Sequence, residues 1–398
     1  MINLVIFIES HVAGGLDQIV YSLIQNLNVN HIKFVHNKDV NPKILFQKEL
    51  PSKVTSKSYY IPTSYNLREW SQKIASFLKI GSFYKIIFAL SLLLIYPWIY
   101  LYSYVYLYFF IKKCNPTHLL VCNGGHPGAT LSRIAIISSF FLPKSKKIYS
   151  FHSIPMPYFT LTKPIQKFED RLIDSSSIAL GVSQNICNSL VKLRSFKQAP
   201  RFIYNGIASI NTSHKKTETN RLKILHVGYF DDNKNQPLLV EAFAQLQNDG
   251  YSDIELTLIG EILDQNIYNK VKDILKKYNC EGKVNLLPFT NDIQNLYNSH
   301  DLFILPSKVE GFGLVLLEAM RSRIPVIGSS IGGIPEIISP GVNGYIFDLN
   351  EPEELKSYIL KFYQNPKLIQ SMGQASYEIF KEKFSLQKML NQYEDLFT

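Results

Sequence analysis

At 398 residues, the chain is longer than one typical domain and suits two domains of about 200 residues, and its 46% apolar content supplies a core for each. Its net charge of +10 is uneven, because residues 1–205 hold 23 Lys and Arg against eight Asp and Glu, whereas residues 206–398 hold 19 against 24. The basic half predicts an anionic partner, and since no helix-turn-helix, zinc-finger or RNA-binding signature accompanies it, nucleic acid is not expected.

The anionic partners that fit the basic half are a membrane surface and a phosphate-linked lipid; a solvated, lysine-rich surface is the alternative. The four cysteines form no C-x-x-C pair, so neither a zinc site nor a disulfide framework is expected, and a reducing cytosol fits. Residues 1–8 lack the basic start and the length of a signal peptide, and they predict a first buried strand instead.

Short apolar runs alternate with amphipathic stretches along the chain, which is the pattern of a doubly wound α/β sheet. In the first half, the candidate strands are 3–8, 118–122, 147–151, 178–182 and 202–204. The polar residues 208–220 indicate a linker. A second series of candidate strands follows at 222–227, 255–259, 283–287, 302–305 and 325–327. Two such series predict two facing Rossmann-like domains, with a ligand cleft at the carboxyl ends of the strands.

One apolar segment departs from this pattern. Residues 86–111 carry no charge and are bounded by lysines, so hydropathy alone predicts a transmembrane helix. A full span would place the first strand and the rest of its sheet on opposite sides of a bilayer, and Pro97 interrupts the segment. We therefore expect two shorter helical pieces at a membrane surface, where the many tyrosines find both apolar and polar partners. A buried helix or dimer face and a true span are the alternatives.

The strongest chemical pattern lies in residues 307–336. Glu310 and Glu318 flank a Gly-Phe-Gly turn that predicts the start of a helix. The N–H groups of residues 311–314 would then lie at a helix N-terminus, where unpaired donors and the helix dipole favour a diphosphate. Eight positions span about 12 Å in a helix, so one carboxylate can accept from sugar hydroxyls and the other from ribose. The pattern predicts a nucleotide-diphosphate-sugar site, and two solvated glutamates on an ordinary helix are the alternative.

The run Ser307-Lys-Val-Glu-Gly-Phe-Gly-Leu-Val-Leu-Leu-Glu-Ala-Met, followed by Gly332-Gly-Ile-Pro-Glu336, resembles the E-x7-E region of glycosyltransferase family 4. Members of this family are retaining enzymes of the GT-B fold. The resemblance implies an α/β fold of two facing Rossmann-like domains with a cleft between them and a C-terminal helix that crosses back to the first domain. The implied divisions are an acceptor-side domain at 1–207, a linker at 208–220, a nucleotide-sugar domain at 221–383 and the terminal helix at 384–398.

The same resemblance assigns roles to the residues of the motif. It implies that Glu310 holds the donor sugar and is a catalytic residue, and that Glu318 binds the ribose. The residues that match the family's donor-binding turn are Gly311, Phe312, Gly313 and Leu314.

The segment that follows residue 227 resembles the family's Gly-Arg-x4-Lys, where both cations grip the diphosphate. Gly228 and Lys234 match as donor-binding residues, but Tyr229 stands in place of the arginine. Loss of one charge-assisted contact to a phosphate is worth roughly 1.5–3 kcal/mol. Either another basic side chain substitutes, or Tyr229 bonds the phosphate, or activity is lower. A plain surface lysine is the alternative interpretation of Lys234.

Strand-end residues in the first half resemble family positions less specifically. Gly14 and Gly15 match a donor-side loop near the phosphates, where glycines would allow a tight turn and close approach. His152 matches a cleft histidine beside the reacting sugar, which makes it the second catalytic candidate. His126 is a weaker acceptor-side candidate. A structural histidine is the alternative for His152.

Two further donor-side candidates lie in the second half. Phe289 is in a loop that resembles the one meeting the nucleotide base in the family. Glu336 either faces the donor or is the N-terminal carboxylate of its own helix, stabilised by the dipole, and the sequence leaves both open.

Together these patterns favour a retaining glycosyltransferase that moves a sugar from a nucleotide-diphosphate donor to a glycan or lipid-linked glycan. No aspartate-rich metal motif stands out, so no metal cofactor is expected, and Lys234 and a helix N-terminus would stabilise the diphosphate instead. The expected setting is the assembly of bacterial surface polysaccharide, such as capsule or lipopolysaccharide, on the cytoplasmic face of the plasma membrane, where the protein would be peripheral or monotopic. A non-catalytic GT-B scaffold and a GT-B sugar-nucleotide epimerase are the alternatives.

Overall fold

The computed structural model describes residues 2–9, 14–37, 50–61, 73, 86–87, 90, 94–198, 200–210, 221–290 and 292–398. The chain divides into two compact units. The first unit comprises Met1–Val182, Ile186–Ile203 and Gln392–Thr398, and the second comprises Ser183–Asn185 and Tyr204–Asn391.

The first unit holds a seven-stranded parallel sheet within its described residues. Its strands are β1 Asn3–Ile8, β2 His31–Asn37, β3 Val54–Tyr59, β4 His118–Asn123, β5 Lys146–Phe151, β6 Ile178–Gly181 and β7 Arg201–Phe202. Their order in space is β3-β2-β1-β4-β5-β6-β7. The helices are α1 Gly15–Asn26, α2 Tyr96–Cys114, α3 Thr130–Ser138, α4 Lys163–Ser176 and α5 Gln184–Arg194.

The order of these strands reverses next to β1. From β1 the chain moves outward to β2 and β3 and then returns to β4 on the other side of β1. Such a switch point opens a crevice at the carboxyl ends of the strands. The central strands are almost wholly apolar and buried, as expected for a parallel sheet covered on both faces.

The second unit is built in the same way around a six-stranded parallel sheet. Its strands are β8 Leu222–Val227, β9 Ile254–Ile259, β10 Val284–Leu287, β11 Leu302–Leu305, β12 Val326–Ser329 and β13 Gly344–Phe347. The helices are α6 Gln236–Asn248, α7 Gln265–Lys277, α8 Ile293–Ser299, α9 Leu314–Arg321, α10 Ile334–Ile337, α11 Pro352–Gln364, α12 Pro366–Lys383 and α13 Leu386–Phe397.

Strand order in the second sheet is β10-β9-β8-β11-β12-β13, so the reversal lies between β8 and β11. These two strands pair in parallel, with Leu302 opposite Ile224 and Phe303 opposite Leu225. The carboxyl ends of β8 and β11 therefore lie next to each other, at the same edge of the sheet. This edge is where the predicted donor residues after positions 227 and 305 belong.

Each strand predicted from the sequence is present, with its ends within two residues of the expected positions. Three strands were missed, namely β2, β3 and β13. β3 and β13 are edge strands, and β3, Val-Thr-Ser-Lys-Ser-Tyr, buries only its last residue fully. Because an edge strand pairs on one side only and faces solvent, it lacks the apolar run by which central strands are recognised.

In the apolar segment at 86–111, the described residues 86–87, 90 and 94 are helical, residue 95 is a turn and a second helical piece, α2, follows it, so two helical pieces are present as predicted. α2 begins at Tyr96 and runs past the predicted end of the segment to Cys114. Pro97 lies in the first turn of α2, where its missing N–H breaks no helical hydrogen bond. Within the described ranges, no helix is long and apolar enough to cross a membrane. Residues 88–89 and 91–93 of the segment and residues 211–220 of the predicted linker lie outside those ranges.

The last turns of α13 belong to the first unit. Tyr393, Leu396 and Phe397 are buried there, and the carboxylate of Glu394 accepts a hydrogen bond of 2.9 Å from the backbone N–H of Asn28. Burial raises the pKa of Tyr393, which a hydrogen bond with Ser150 partly offsets. The four cysteine thiols are free and buried.

Gly344 in β13 offers a test of how tightly the second sheet is packed. A Cβ at this position would lie 1.7 Å from the carbonyl oxygen of Val326 on the neighbouring strand. We expect Gly344→Ala to lower the free energy of unfolding by about 3 kcal/mol, the upper end for overpacking, because the obstructing atom belongs to the backbone. Urea unfolding measures this change.

The matched control is Gly282→Ala, since a Cβ at Gly282 would meet no atom within 4 Å. Its free energy of unfolding should stay within about 0.5 kcal/mol of the parent, as is usual for unobstructed surface changes. Equal effects of the two substitutions would contradict the packing described for β13.

Candidate functional site

The turn between β11 and α9 is built as the sequence predicts. Gly313 precedes α9 with φ of +102°, a left-handed conformation that favours glycine, and the helix begins at Leu314. The second glycine pair of the motif packs against this turn. A Cβ on Gly333 would lie 2.7 Å from the carbonyl oxygen of Gly311 and 3.0 Å from the Cα of Phe312. Gly333 is therefore required by close backbone contact, which explains why the two parts of the motif occur together.

An ion pair joins the ends of β8 and β11. The Nζ of Lys234 lies 2.7 Å from Oε2 of Glu310, and the hydroxyl of Ser307 lies 3.4 Å from the same oxygen. The side chain of Lys234 runs over Gly228, where a Cβ would lie 3.2 Å from the lysine Cγ. The side chains of Lys234 and Glu310 are only 22% and 14% exposed, so both charges are partly desolvated. The structure thus brings together three predicted residues that are far apart in sequence.

Glu318 lies on α9 beside a buried tyrosine. The hydroxyl of Tyr297, on α8, donates a 2.8 Å hydrogen bond to Oε2 of Glu318. Burial raises the pKa of Glu318, while this hydrogen bond and the positive charge of Arg321 act in the opposite direction. Tyr297 is fully buried, so its hydroxyl fixes the position of the carboxylate. The sequence analysis missed Tyr297, because no short-range pattern connects it with Glu318.

The ring of Phe312 is buried inside the second unit. It stacks on Tyr204 at 5.5 Å between ring centroids and meets Phe384 edge-on at 5.8 Å. Any donor contact at this position therefore falls to the backbone of the turn. Donor binding by Gly311, Phe312, Gly313 and Leu314 stays a prediction.

Glu336 lies in the first turn of its own helix, α10, as one of the two predicted alternatives has it, but its carboxylate bonds to another helix. Its two carboxylate oxygens accept hydrogen bonds of 2.8 and 2.7 Å from the backbone N–H groups of Gln184 and Asn185, which belong to the second unit. These are the first residues of α5, so the carboxylate satisfies orphan donors at the N-terminus of a different helix. The predicted contact of Glu336 with a donor is untested, as is that of Phe289, whose half-exposed ring follows β10.

In the first unit, the glycine pair lies at the start of α1, since Gly14 precedes the helix and Gly15 is its first residue. The N–H of Gly14 donates to the Asp17 carboxylate at 2.8 Å, and the carbonyl of Gly14 accepts from the Asp17 N–H at 3.1 Å. Gly14 has φ of −161°, an extended conformation open to any residue. The tight turn predicted for Gly14 is thus not seen at its own dihedral angles, and residues 10–13 of the loop lie outside the described ranges. Donor binding by Gly14 and Gly15 stays a prediction.

His152 follows β5, as predicted. Its Nε2 lies 3.0 Å from the hydroxyl of Ser150, and its backbone N–H donates to the carbonyl of Asn123 at 2.9 Å. Burial lowers the pKa of His152 to about 3, so the imidazole is neutral near pH 7. Its buried Nδ1 has no hydrogen-bond partner among the described residues. A neutral imidazole with one ring nitrogen available can bond a hydroxyl. Ser150 could have been found from sequence, because residues i and i+2 of a strand face the same side.

His126 lies within a buried ionic cluster of the first unit. Its Nε2 is 3.0 Å from Oδ1 of Asp170, and the same carboxylate accepts from Nε of Arg194 at 2.8 Å. Burial lowers the pKa of His126, and the hydrogen bond to Asp170 opposes this shift. Only 1% of the surface of His126 is exposed. Its acceptor-side role stays a prediction.

In the parts of the chain that the structure describes, no three His, Cys, Asp or Glu side chains lie together in a way that could hold a metal ion.

Known proteins that are similar to this chain include glycosyltransferases. Residues 209–379 match the family model of the glycosyl transferases group 1. N-acetyl-alpha-D-glucosaminyl L-malate synthase of Bacillus anthracis is 27% identical over 235 residues, which cover 56% of this chain and 60% of that protein. A capsular polysaccharide biosynthesis glycosyltransferase of Staphylococcus aureus is 22% identical over 297 residues, covering 70% of this chain and 76% of that protein. For three curated relatives, including the Bacillus anthracis protein, the match spans only between 55% and 61% of the relative's length.

Solved structures define the fold. A crystal structure of Anabaena HepE in complex with UDP-glucose superposes with a TM-score of 0.73 at 18% identity, covering 98% of both chains. The chain therefore has the GT-B fold with two Rossmann-like domains, as predicted.

The buried imidazole of His152 makes the free energy of unfolding depend on pH. The pKa of His152 is about 3 in the folded protein, against 6.5 when it is unperturbed. Between these values the unfolded chain binds one more proton than the folded protein, so the free energy of unfolding falls as the pH drops below about 6.5, by up to about 1.4 kcal/mol per pH unit. We expect His152→Asn to reduce the slope of the free energy of unfolding against pH by up to about 1.4 kcal/mol per pH unit, which corresponds to one proton.

Urea unfolding of both proteins from about pH 7.5 to about pH 4.5 measures these slopes. Above pH 7, where neither state of His152 binds a proton, the slopes should agree, which provides the internal control. An unchanged slope below pH 6 would mean that His152 is not held neutral by burial.

Proposed function

We propose that the chain is a retaining glycosyltransferase that moves a sugar from a nucleotide-diphosphate donor to a hydroxyl of a lipid-linked glycan in bacterial surface polysaccharide synthesis. The observation that carries the proposal is the partly buried pair of Lys234 and Glu310 at the edge of the second sheet where the strand order reverses. This edge is the usual ligand site of an open α/β sheet.

The charges at this edge suit a sugar diphosphate. Lys234 and the N-terminus of α9 supply positive charge for the phosphates, and Glu310 supplies an acceptor for sugar hydroxyls. In our proposal, the diphosphate takes the place of Glu310 as the partner of Lys234 when the donor binds, which releases the carboxylate for the sugar. Glu318 accepts from the ribose hydroxyls. The UDP-glucose complex of a protein with the same fold supports a donor of this class.

The proposed chemistry needs no group outside the substrates and these side chains. The bond between the anomeric carbon and the phosphate oxygen breaks while the acceptor oxygen bonds to the same face of that carbon. The acceptor proton passes to an oxygen of the departing phosphate, so the products are a glycoside of unchanged anomeric configuration and a nucleoside diphosphate. Lys234 and the α9 dipole stabilise the negative charge that grows on the phosphate. We assign to neutral His152 a hydrogen bond to a hydroxyl of the sugar or of the acceptor.

The choice of acceptor rests on charge and on the relatives. The first half of the chain carries the excess of Lys and Arg, which favours an acceptor in an anionic environment. One relative is named for capsular polysaccharide biosynthesis. We therefore propose that the acceptor is linked to a lipid at the cytoplasmic face of the plasma membrane.

Tyr229 motivates a second candidate function. It stands where the resembling family has an arginine, and its carbonyl oxygen accepts a 2.7 Å hydrogen bond from Gln236. A chain with weaker phosphate binding could serve as a non-catalytic sugar-nucleotide-binding subunit. Glu310 and Glu318 favour the enzyme, because a scaffold does not need a carboxylate that orients the sugar.

Glu310→Gln tests the proposed catalytic role. The substitution keeps the shape of the side chain but removes its charge, so we expect the transfer rate to fall by about 100-fold or more, as when one preorganised polar group at a reacting centre is lost. The measurement is transfer of radiolabelled sugar, from a panel of UDP- and GDP-sugars, into the lipid fraction of bacterial membranes. The exposed Glu281→Gln is the control and should leave the rate unchanged.

The same assay separates the alternatives. Binding of a sugar nucleotide without transfer from any donor would favour the scaffold, whereas conversion of the donor sugar without an acceptor would favour an epimerase. NMR of the product tests retention, and an inverted anomeric centre would contradict the same-face mechanism.

Tyr297→Phe tests whether Tyr297 positions Glu318. Loss of a hydrogen bond to a charged group, worth about 1.5 kcal/mol, should raise KM for the donor by about tenfold with little change in kcat. The effect should be greater at lower pH, because the pKa of Glu318 rises when this bond is lost.

Tyr278→Phe is the matched control, since the hydroxyl of Tyr278, which directly follows α7, donates to Glu241 on α6 in the same way. It should leave KM unchanged. If Tyr297→Phe lowered kcat alone, the ribose role of Glu318 would be wrong.

A further inference from the structure

We propose that the outer face of α2, together with the turn Ser139–Phe141, is a docking face for an anionic bilayer surface, on which the first unit rests without crossing it. The docking face consists of Trp98, Leu101, Tyr102, Val105, Phe109, Phe140 and Phe141. The proposal deepens the proposed function by naming the surface from which the acceptor would be reached. Its own support is independent of any catalytic residue.

The docking face is unusually apolar for a surface in water. Its five residues on α2 are each more than half exposed, and Trp98 is 73% exposed. Four of them, Trp98, Tyr102, Val105 and Phe109, recur at spacings of three and four residues, so they form a single stripe along the helix. The turn is joined to this stripe through Tyr108, whose ring lies 6.4 Å from that of Phe141 and 5.1 Å from that of Phe109 between centroids. Contiguous apolar surface of this kind marks an interaction site.

The opposite side of α2 is fixed to the protein. Leu107 and Ile111 are fully buried. The hydroxyls of Tyr100 and Tyr104 both donate to Oε1 of Glu169 on α4, at 2.8 Å from Tyr104. The other oxygen of Glu169 lies 2.6 Å from NH1 of Arg133. A helix tied in this way cannot leave the domain to span a bilayer, so a membrane can contact only its outer side.

The length of the stripe agrees with a helix that lies along a surface. Phe109 follows Trp98 by eleven positions, which corresponds to about 16 Å along the helix axis. Tryptophan and tyrosine favour the boundary between apolar chains and water, since their rings carry polar groups.

Charge identifies the bilayer as the occupant. Residues 70–168 contain 11 Lys and Arg and no Asp or Glu. Lys112 and Lys113 lie in the last turn of α2 beyond the stripe, and Lys144 and Lys146 follow the turn, all with exposed side chains. The first acid after this stretch is Glu169, which is buried. Lysines beside an apolar face complement anionic headgroups.

The same charges disfavour a second copy of the chain as the occupant. A two-fold symmetric dimer places the same patch on both sides of its interface. Each copy would then bring its lysines toward those of the other, with no acidic residue from positions 70–168 to pair with them.

Vesicle binding tests the proposal with the whole chain and no sugar. We expect the protein to sediment with vesicles of equal parts phosphatidylcholine and phosphatidylglycerol and to bind vesicles of phosphatidylcholine alone at least about tenfold more weakly. In a Trp70→Phe variant, Trp98 is the only tryptophan. Its fluorescence should shift to shorter wavelength with the anionic vesicles and be quenched by brominated lipid chains.

Two variants isolate the docking face. Val105→Asp should weaken binding to the anionic vesicles by at least about tenfold, because it places a charge in the apolar stripe. Val342→Asp is the matched control, since Val105 and Val342 are 53% and 51% exposed and Val342 lies in the second unit. Replacing Lys112 and Lys113 by Glu changes charge without touching the apolar stripe, and should remove the preference for phosphatidylglycerol even if Val105→Asp disturbs folding.

Three outcomes would overturn the proposal. They are equal binding by Val105→Asp and Val342→Asp, an unchanged Trp98 spectrum with vesicles, or a dimer in solution that Val105→Asp converts to monomer. Glu310→Gln should bind vesicles like the parent. Failure of sugar transfer therefore leaves the docking face intact, and failure of docking leaves transfer to a soluble acceptor intact.

Discussion

The contact between Lys234 and Glu310 ties together the parts of the second unit on which the proposed chemistry depends. It joins the loops that leave β8 and β11, which are adjacent because the strand order reverses between them. Gly228 lies under the lysine side chain, where a Cβ would come within 3.2 Å of the lysine Cγ. A partly buried ion pair of this kind has a desolvation cost that its attraction offsets only in good geometry. The pair is thus better understood as a device that holds two charges in position for an anionic ligand than as a source of stability.

The first unit uses buried charge in a different way. Two adjacent carboxylates on α4 bind different partners. Glu169 bonds to Arg133 and to two tyrosines of α2, whereas Asp170 bonds to His126 and Arg194. Both are almost completely buried. Breaking such a pair typically costs 3–5 kcal/mol, because the remaining charge has no solvent. α4 therefore fixes both the inner side of the docking face and the loop that follows β4.

The sequence allowed good prediction of features that depend on local pattern. The central strands and the start of α9 at Leu314 follow from apolar runs and from the glycine turn. The contacts that complete the site depend on residues far apart in the chain, and these were not predicted. Tyr297 reaches Glu318 only because α8 and α9 are neighbours, and Glu336 caps α5, which is 151 residues away in sequence. The polar edge strand β3 has no apolar run, so its pattern resembled that of a loop.

The placement of Gln392–Thr398 in the first unit has a consequence for how the protein folds during synthesis. Tyr393, Leu396 and Phe397 complete the core of a unit whose other residues all precede position 204. Domains usually fold in order as they leave the ribosome, but here nearly 190 further residues must be made before the first core is closed. The first unit must therefore wait, incompletely packed, until the second has been synthesised, and a fragment that ends after Ile203 would lack part of its own interior.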